Sequence, residues 1–195
     1  MFKIKDRFVL GVVAGLAGNV IKMAIDEISI INKISQRSFR ETAAGVWVSK
    51  KSEATNIKGH LLGGLLDFGM GILGGISSVY LLSKTGRDHI TIKGITSGIT
   101  MGSFITFVMG TLPKNQVRPT DAASNLSYML SHAAFGLVTT TVAAKLGDPS
   151  LFDVKPQNDY LDPTEPTTEQ IKNAFRLMHA KGNGPQRKRS FKVTS

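Results

Sequence analysis

Residues 61–82 read LLGGLLDFGMGILGGISSVYLL, and this stretch decides the fold. It is 22 residues long, and its one charged side chain, Asp67, lies among six glycines. A helix of about 20 apolar residues crosses the hydrocarbon core of a bilayer. The stretch therefore predicts a transmembrane helix. An ionisable group inside such a helix is costly in lipid, so Asp67 also marks a candidate site.

Three further apolar runs predict an all-α protein built as a four-helix transmembrane bundle. The predicted membrane domain covers residues 1–146, with spans at about 8–25, 61–82, 94–112 and 122–144. The first run follows three basic residues and could instead be a secretory signal peptide. It continues past the small residues at which a signal would be cut, which favours a retained span. The predicted surroundings are the lipid bilayer of the cell (inner or plasma) membrane.

The first loop and the C-terminal tail complete this fold prediction. Ser38 and Glu41 make a capping box that opens a short helix, and Trp47 with the following lysines favours a helix lying in the headgroup layer. The alternative is a helix that caps the bundle. Residues 147–195 predict a polar, mostly disordered tail with an acidic, proline-containing linker over 148–165 and a short amphipathic helix at about 167–180.

Charge and cysteine content narrow the function classes. The formal net charge is +10 and there is no cysteine, so a disulfide framework or thiolate metal site is excluded. The basic residues lie mainly in loops and tail, which predicts lipid headgroups rather than nucleic acid as their partner. Fifteen Lys and Arg residues lie on the side of the membrane predicted for both termini, and eight lie on the other side. This excess predicts that the termini are cytoplasmic. Leaving out the tail beyond Lys155 makes the two sides equal, at eight each.

The strongly polar residues of the spans fall in one half of the predicted bilayer. A charge facing lipid at a helix centre costs about 2.5–3.5 kcal/mol on insertion scales, so we expect these side chains to face one another. They predict a polar pocket open to the side of the first loop, and the alternative is an internal network that only fixes helix register. The predicted pocket residues are Asn19, Lys22, Asp26, His60, Asp67, Asn125, Ser127 and His132.

Glycines at intervals of four residues form ridges on the predicted helices. Small residues let helix backbones approach closely in lipid, where no hydrophobic effect drives helices together. The ridges predict tight packing within the bundle, against a second copy, or against another membrane protein. The predicted packing residues are Gly11, Gly15, Gly71, Gly75, Gly94, Gly98, Gly102 and Gly110.

Four segments together resemble the YagU-like family of small four-span bacterial inner-membrane proteins, which have no established biochemical activity. The segments are GVVAGLAGNVIKMAID in the first span, GH at Gly59–His60, VMGTLP at the end of the third span and SNLSYMLSH in the fourth. The resemblance covers roughly residues 8–146 and includes Gly11, Gly15, Lys22, Gly110, Pro113 and His132. It implies four helices and a polar face with lysine and histidine, and it supplies no mechanism.

Three function classes are compatible with these patterns. The prediction is a small-ligand or ion binding or sensing module, and the alternative is a structural or assembly module that packs through glycine ridges, with a homodimer or a membrane-protein partner. We do not predict an enzyme, a cofactor or a metal. Ser97–Gly98 with His132 is similar to an intramembrane serine protease dyad, but Ile95 occupies the place of the glycine that such a motif requires.

Overall fold

The computed structural model describes residues 3–118, 120–152, 171–173 and 175–177. Every regular element in these ranges is helical. Three of the helices, α1, α4 and α5, are long and apolar enough to cross a membrane. The elements are α1 (Arg7–Ile31), α2 (Phe39–Ala44), α3 (Lys51–Ala54), α4 (Ile57–Thr85), α5 (Ile90–Thr111), α6 (Ala122–Leu146) and a 3₁₀ turn (Pro149–Phe152).

Side-chain caps set the beginnings of three of the four long helices, α1, α4 and α6. Asp6, Asn56 and Asp121 each accept a hydrogen bond from the backbone N–H three residues ahead, at 2.8, 2.9 and 2.8 Å. Such caps satisfy N–H groups that have no partner within the helix. Gly86 ends α4 at φ +80°, a left-handed conformation that glycine adopts without strain.

Three helices run at least one turn further than their apolar stretches predicted. α1 continues to Ile31, α4 begins at Ile57 instead of 61, and α5 begins at Ile90 instead of 94. The additional turns of α1 and α4 pack within the protein, since Ser29 and Gly59 are buried. These two helices therefore extend beyond the hydrophobic segment on the side of the first loop.

The four long helices form an open arrangement in the order α4, α1, α6, α5. α1 packs against both α4 and α6, and α6 packs against α5, whereas α4 and α5 scarcely touch. A groove therefore remains between α4 and α5, with Phe135 of α6 among the residues that line it.

Glycines allow the close helix crossings. A Cβ atom added at Gly11 would lie 2.6 Å from Ile76 Cα, and one at Gly75 would lie 2.5 Å from Gly15 Cα. The α1–α4 contact is thus made of backbone against backbone. The ridge of α5 packs in the same way within the chain, since added Cβ atoms at Gly94 and Gly98 would meet the backbone of α6.

Gly110 differs from the rest of the predicted packing residues. A Cβ added there would meet nothing within 4 Å. The ridge of α5 ends one turn earlier than its four-residue spacing suggested, because α6 begins only at Ala122 and the chain after Thr111 turns away into a loop.

The short helix of the first loop caps the bundle. Its capping box is present, with both Ser38–Glu41 hydrogen bonds formed. Phe39, Thr42, Ala43 and Ala44 are all buried, and α2 packs against α4. The prediction of a helix lying in the headgroup layer is therefore corrected. Phe39 points into the protein, while Trp47, on which that prediction relied, is 69% exposed after the helix has ended.

The segments before α1 and after α6 are joined. The Ile4 N–H donates to Leu146 O and the Asp148 N–H donates to Ile4 O, both at 2.9 Å, in an isolated parallel bridge. Leu151 and Phe152 then pack on a core cluster with Leu10 and Val79. The packed domain thus extends through Phe152, beyond the predicted boundary at 146, and the beginning of the predicted linker belongs to it.

The remaining tail predictions fall largely outside the described residues. Residues 171–173 and 175–177 are helical, in agreement with a helix at about 167–180. The rest of that helix, the linker beyond Phe152 and the predicted disordered end lie outside the described part of the chain.

Candidate functional site

A buried ion pair joins α1 to α4. Lys22 Nζ donates to Asp67 Oδ1, and the two residues are only 4% and 2% exposed. The amide of Asn19, one turn before Lys22, lies with its Nδ2 3.5 Å from Asp67 Oδ2. Glycine makes this approach possible, because an added Cβ at Gly71 would lie 2.9 Å from the Asn19 side chain.

His132 of α6 lies beside the Lys22–Asp67 ion pair. Its Nδ1 lies 2.7 Å from Tyr128 O, which can only accept, so Nδ1 carries a proton and donates. The ring is 1% exposed. Asn19, Lys22, Asp67 and His132 all line one small internal space, and we call these four residues the ion-pair cluster.

Phe39 of α2 lies over the ion-pair cluster. Its ring centroid is 4.4 Å from Lys22 Nζ, a cation–π contact, and 5.1 Å from the His132 ring, which meets it edge-on. Tyr128 packs edge-on against the same ring at 5.4 Å. Its hydroxyl donates to Arg37 O at 3.0 Å, in the segment that leads into α2. One aromatic ring thus separates the cluster from the loop side.

Asp26 holds the beginning of α2. Its Oδ2 accepts from the Phe39 N–H at 2.9 Å, which satisfies a backbone donor in the first turn of that helix. Its Oδ1 is buried without a hydrogen-bond partner among the described residues. Asp26 belongs to the same helix face as Lys22, one turn away, and acts on α2 rather than on Asp67.

The predicted pocket is closed in this structure. The space enclosed by the ion-pair cluster, Phe39 and neighbouring apolar side chains is only about 10 Å³, roughly what one water needs. We expected a cavity open to the loop side. The sequence did not reveal that α2 folds back over it and fills it with the Phe39 ring.

The other predicted pocket residues lie outside the ion-pair cluster. His60 is one-third exposed, and its Nε2 lies 3.7 Å from Glu41 Oε1 at the rim. Ser127 is buried, with an Oγ that has no partner within the described part of the chain. Asn125 is half-buried on α6. None of the three lines the enclosed space.

Two site residues were missed by sequence reasoning. Neither Phe39 nor Tyr128 was among the predicted pocket residues, and both are buried, at most 4% exposed. The available signal was a lone aromatic residue in the small, polar segment SNLSYMLSH. Such a side chain needs both a packing surface and a hydrogen-bond acceptor.

The chemistry of the site is that of charge and hydrogen bonding. Among the described residues, no group of three or more His, Cys, Asp or Glu side chains could hold a metal ion. Ser97, the nucleophile of the protease alternative, donates its hydroxyl to Gly94 O of its own helix at 3.0 Å.

No protein-family model, no curated protein and no solved structure matches the chain.

Proposed function

We propose that this chain is a four-span membrane protein, without enzymatic activity, whose ion-pair cluster binds or senses a small ion or small ligand under the control of α2. The single observation that carries the proposal is the buried Lys22–Asp67 pair, with His132 beside it and Phe39 over it. The proposed location is the cell membrane, with both termini in the cytoplasm.

The length and burial pattern of α6 support a fourth span. Its 25 residues correspond to about 37 Å of helix, enough for a hydrocarbon core of about 30 Å. Its hydroxyl-bearing side chains lower its average hydropathy, but Ser131, Thr139 and Thr140 are each at most 1% exposed. A helix whose polar side chains face its neighbours can still cross lipid.

The free-energy cost of burying the Lys22–Asp67 ion pair supports a functional role for it. Removing two charges from water costs several kcal/mol per ion, and replacing a buried pair by apolar residues of similar size is often neutral or stabilising. Glycine-mediated packing already holds α1 against α4 close by, at Gly15, about two turns from Lys22, and Gly71, about one turn from Asp67. The fold alone therefore gives little reason for charges at this position.

A ligand would reach the cluster only after α2 moves. The segments on either side of α2 make this movement feasible, since residues 32–38 and 45–50 contain no long helix. α2 is only six residues long, and the polar contacts that anchor it to the long helices are Phe39 N–H to Asp26, Arg40 to Glu27, Thr42 Oγ1 to the Tyr128 hydroxyl, and Glu41 to His60. We propose that displacement of α2 opens the cluster to the loop side.

The test compares the wild-type protein with the double variant Lys22→Met/Asp67→Leu. Both proteins are purified in detergent, and thermal unfolding is followed while single salts of Na⁺, K⁺, Mg²⁺, chloride, acetate and phosphate are varied at constant ionic strength. A bound ion raises stability by RT ln(1 + [L]/Kd), about 2.7 kcal/mol at 100 times Kd. We expect at least one ion to stabilise the wild-type protein in this way and not the double variant.

The single variant Lys22→Met is the control for folding. It leaves Asp67 buried without its partner, which costs about 3–5 kcal/mol, whereas the double variant should unfold near the wild-type temperature. If no ion of the panel distinguishes the wild-type protein from the double variant, the cluster is a structural network and the proposal fails.

The assembly alternative relied on glycine ridges that would pack against another chain. The ridges at Gly11, Gly15, Gly94 and Gly98 are occupied within the chain, against α4 and α6. An assembly function would need a different surface.

A further inference from the structure

The groove between α4 and α5 is a second open space, with a volume of about 730 Å³. It extends from the enclosed space of the ion-pair cluster, with which it shares the lining residues Met101 and Phe135, toward the end of the bundle that carries the N-terminus. Its lining residues include Ser77 and Leu81 of α4, Thr96 and Phe104 of α5, and Phe135 of α6.

The surface of this groove is almost entirely apolar, although several of its residues carry hydroxyls. Ser78 Oγ donates to Gly74 O at 2.8 Å, and Ser97 Oγ donates to Gly94 O at 3.0 Å. These hydroxyls are satisfied by their own helices and need nothing from an occupant. The groove therefore suits a hydrocarbon chain.

The length of the groove is close to the hydrocarbon thickness of one bilayer leaflet. Its α5 side runs from Ile92 to Phe104, about 18 Å along the helix. Half of a hydrocarbon core of about 30 Å is about 15 Å. The groove thus runs from the membrane surface at the 84–93 turn to about the middle of the bilayer, and it opens sideways where lipid would lie.

The membrane-surface end of the groove is basic. Among the described residues, this end of the bundle carries seven basic side chains (Lys3, Lys5, Arg7, Lys84, Arg87, Lys93 and Lys145) and three acidic ones (Asp6, Asp88 and Asp148). Lys93 is engaged internally, 2.7 Å from Asp88. Lys84 is exposed and shares a helix face with the lining residues Ser77 and Leu81.

We propose that the α4–α5 groove binds one acyl chain of an anionic phospholipid, whose headgroup lies against Lys84. The proposal depends on the membrane embedding described above but not on the ion-pair cluster. A transmembrane helix of a second copy is the other occupant that the test below distinguishes.

The test measures the lipid that the protein retains. Delipidated protein is incubated with mixed micelles containing equal amounts of phosphatidylcholine and phosphatidylglycerol, and bound lipid is identified by native mass spectrometry. We expect the wild-type protein to retain about one phosphatidylglycerol per chain. Thr96→Phe places a ring in the groove and should lower retention at least tenfold. Thr91→Phe, exposed on the same helix but outside the groove, is the matched control and should retain the lipid.

A further variant tests the headgroup contact. Lys84→Gln should leave an acyl chain bound but lose the preference for phosphatidylglycerol over phosphatidylcholine. Equal lipid retention by Thr96→Phe and the wild-type protein would overturn the proposal, and so would equal loss in Thr96→Phe and Thr91→Phe. If Thr96→Phe instead converts a dimer to a monomer with unchanged lipid, the groove belongs to a second copy of the chain.

Discussion

At the scale of single residues, glycine has two different roles in α4. Gly75 is buried in the crossing with α1, where an added Cβ would lie 2.5 Å from Gly15 Cα. Gly69, less than two turns away on the same helix, is exposed, and an added Cβ there would meet nothing within 4 Å. The two positions differ in packing, so that comparing them isolates the cost of separating the helices.

We therefore predict that Gly75→Ala destabilises the protein by about 1–3 kcal/mol, because α1 must shift to admit the methyl group. Gly69→Ala should stay within about 0.5 kcal/mol of the wild-type protein. Denaturant unfolding in detergent micelles measures both. Equal stability of the two variants would show that α1 and α4 can move apart at their crossing with no loss of stability.

The sequence predicted the buried residues of the ion-pair cluster from one physical argument, the cost of a charge in lipid. Lys22, Asp67 and His132 are all buried and line one space. The argument could not supply the Phe39 ring that closes the space. Its position depends on tertiary contacts from Asp26 and Tyr128, which have no signature in the local sequence around Phe39.

At the scale of elements, α2 is the helix on which access to the ion-pair cluster depends. It buries one large side chain, Phe39, and exposes another soon after its end, Trp47. The buried ring contacts α1 through Lys22 and α6 through Tyr128. Removing that ring should release α2 without disturbing the long helices, whose own contacts lie elsewhere.

We predict that Phe39→Ala raises the reactivity of a thiol placed at Ile105, which is 6% exposed and lines the enclosed space. Truncating a buried phenylalanine costs about 3–5 kcal/mol, and about 1.4 kcal/mol is tenfold, so local opening should increase by roughly 100-fold to several thousand-fold. The chain has no cysteine, so Ile105→Cys supplies the only thiol, and its labelling by a maleimide gives the rate.

Trp47→Ala is the matched control in this experiment, because it removes an exposed ring next to the same helix. It should leave the labelling rate of the Ile105→Cys thiol unchanged. A thiol that reacts equally fast with and without Phe39 would mean that α2 does not control access.

The helix boundaries show which signals the sequence carries. The capping box at Ser38 was predicted and is present, since it depends only on residues three apart. The cap at Asn56 was missed because the residues after it, including Lys58 and His60, resemble a polar loop. The 3₁₀ turn Pro149–Phe152 was missed for a similar reason, since it begins at a proline just after Gly147, and a glycine with a proline close behind it ordinarily ends a domain.

At the scale of the whole molecule, the number of spans decides where the termini lie. α1, α4 and α5 are long and apolar enough to cross a membrane, and α6 is the more polar fourth helix. With four spans, Ser52 and Thr120 share one side of the membrane and Lys145 lies on the other. With three, Thr120 and Lys145 would share a side.

We predict that single cysteines at Ser52 and Thr120 react with a membrane-impermeant maleimide on intact cells, and that one at Lys145 reacts only after lysis. All three positions are exposed, so burial does not limit the reaction. The inverse pattern would reverse the orientation and keep the four spans. Labelling of Thr120→Cys and Lys145→Cys from the same side would exclude α6 as a span.

The bridge between Ile4 and Gly147 has a consequence for biosynthesis. Residues 4 and 148 are hydrogen-bonded partners separated by almost the whole packed domain. The segment at residue 4 therefore lacks these partners during synthesis until α6 and residue 148 have been translated. A product truncated before residue 146 would leave this segment without its partner.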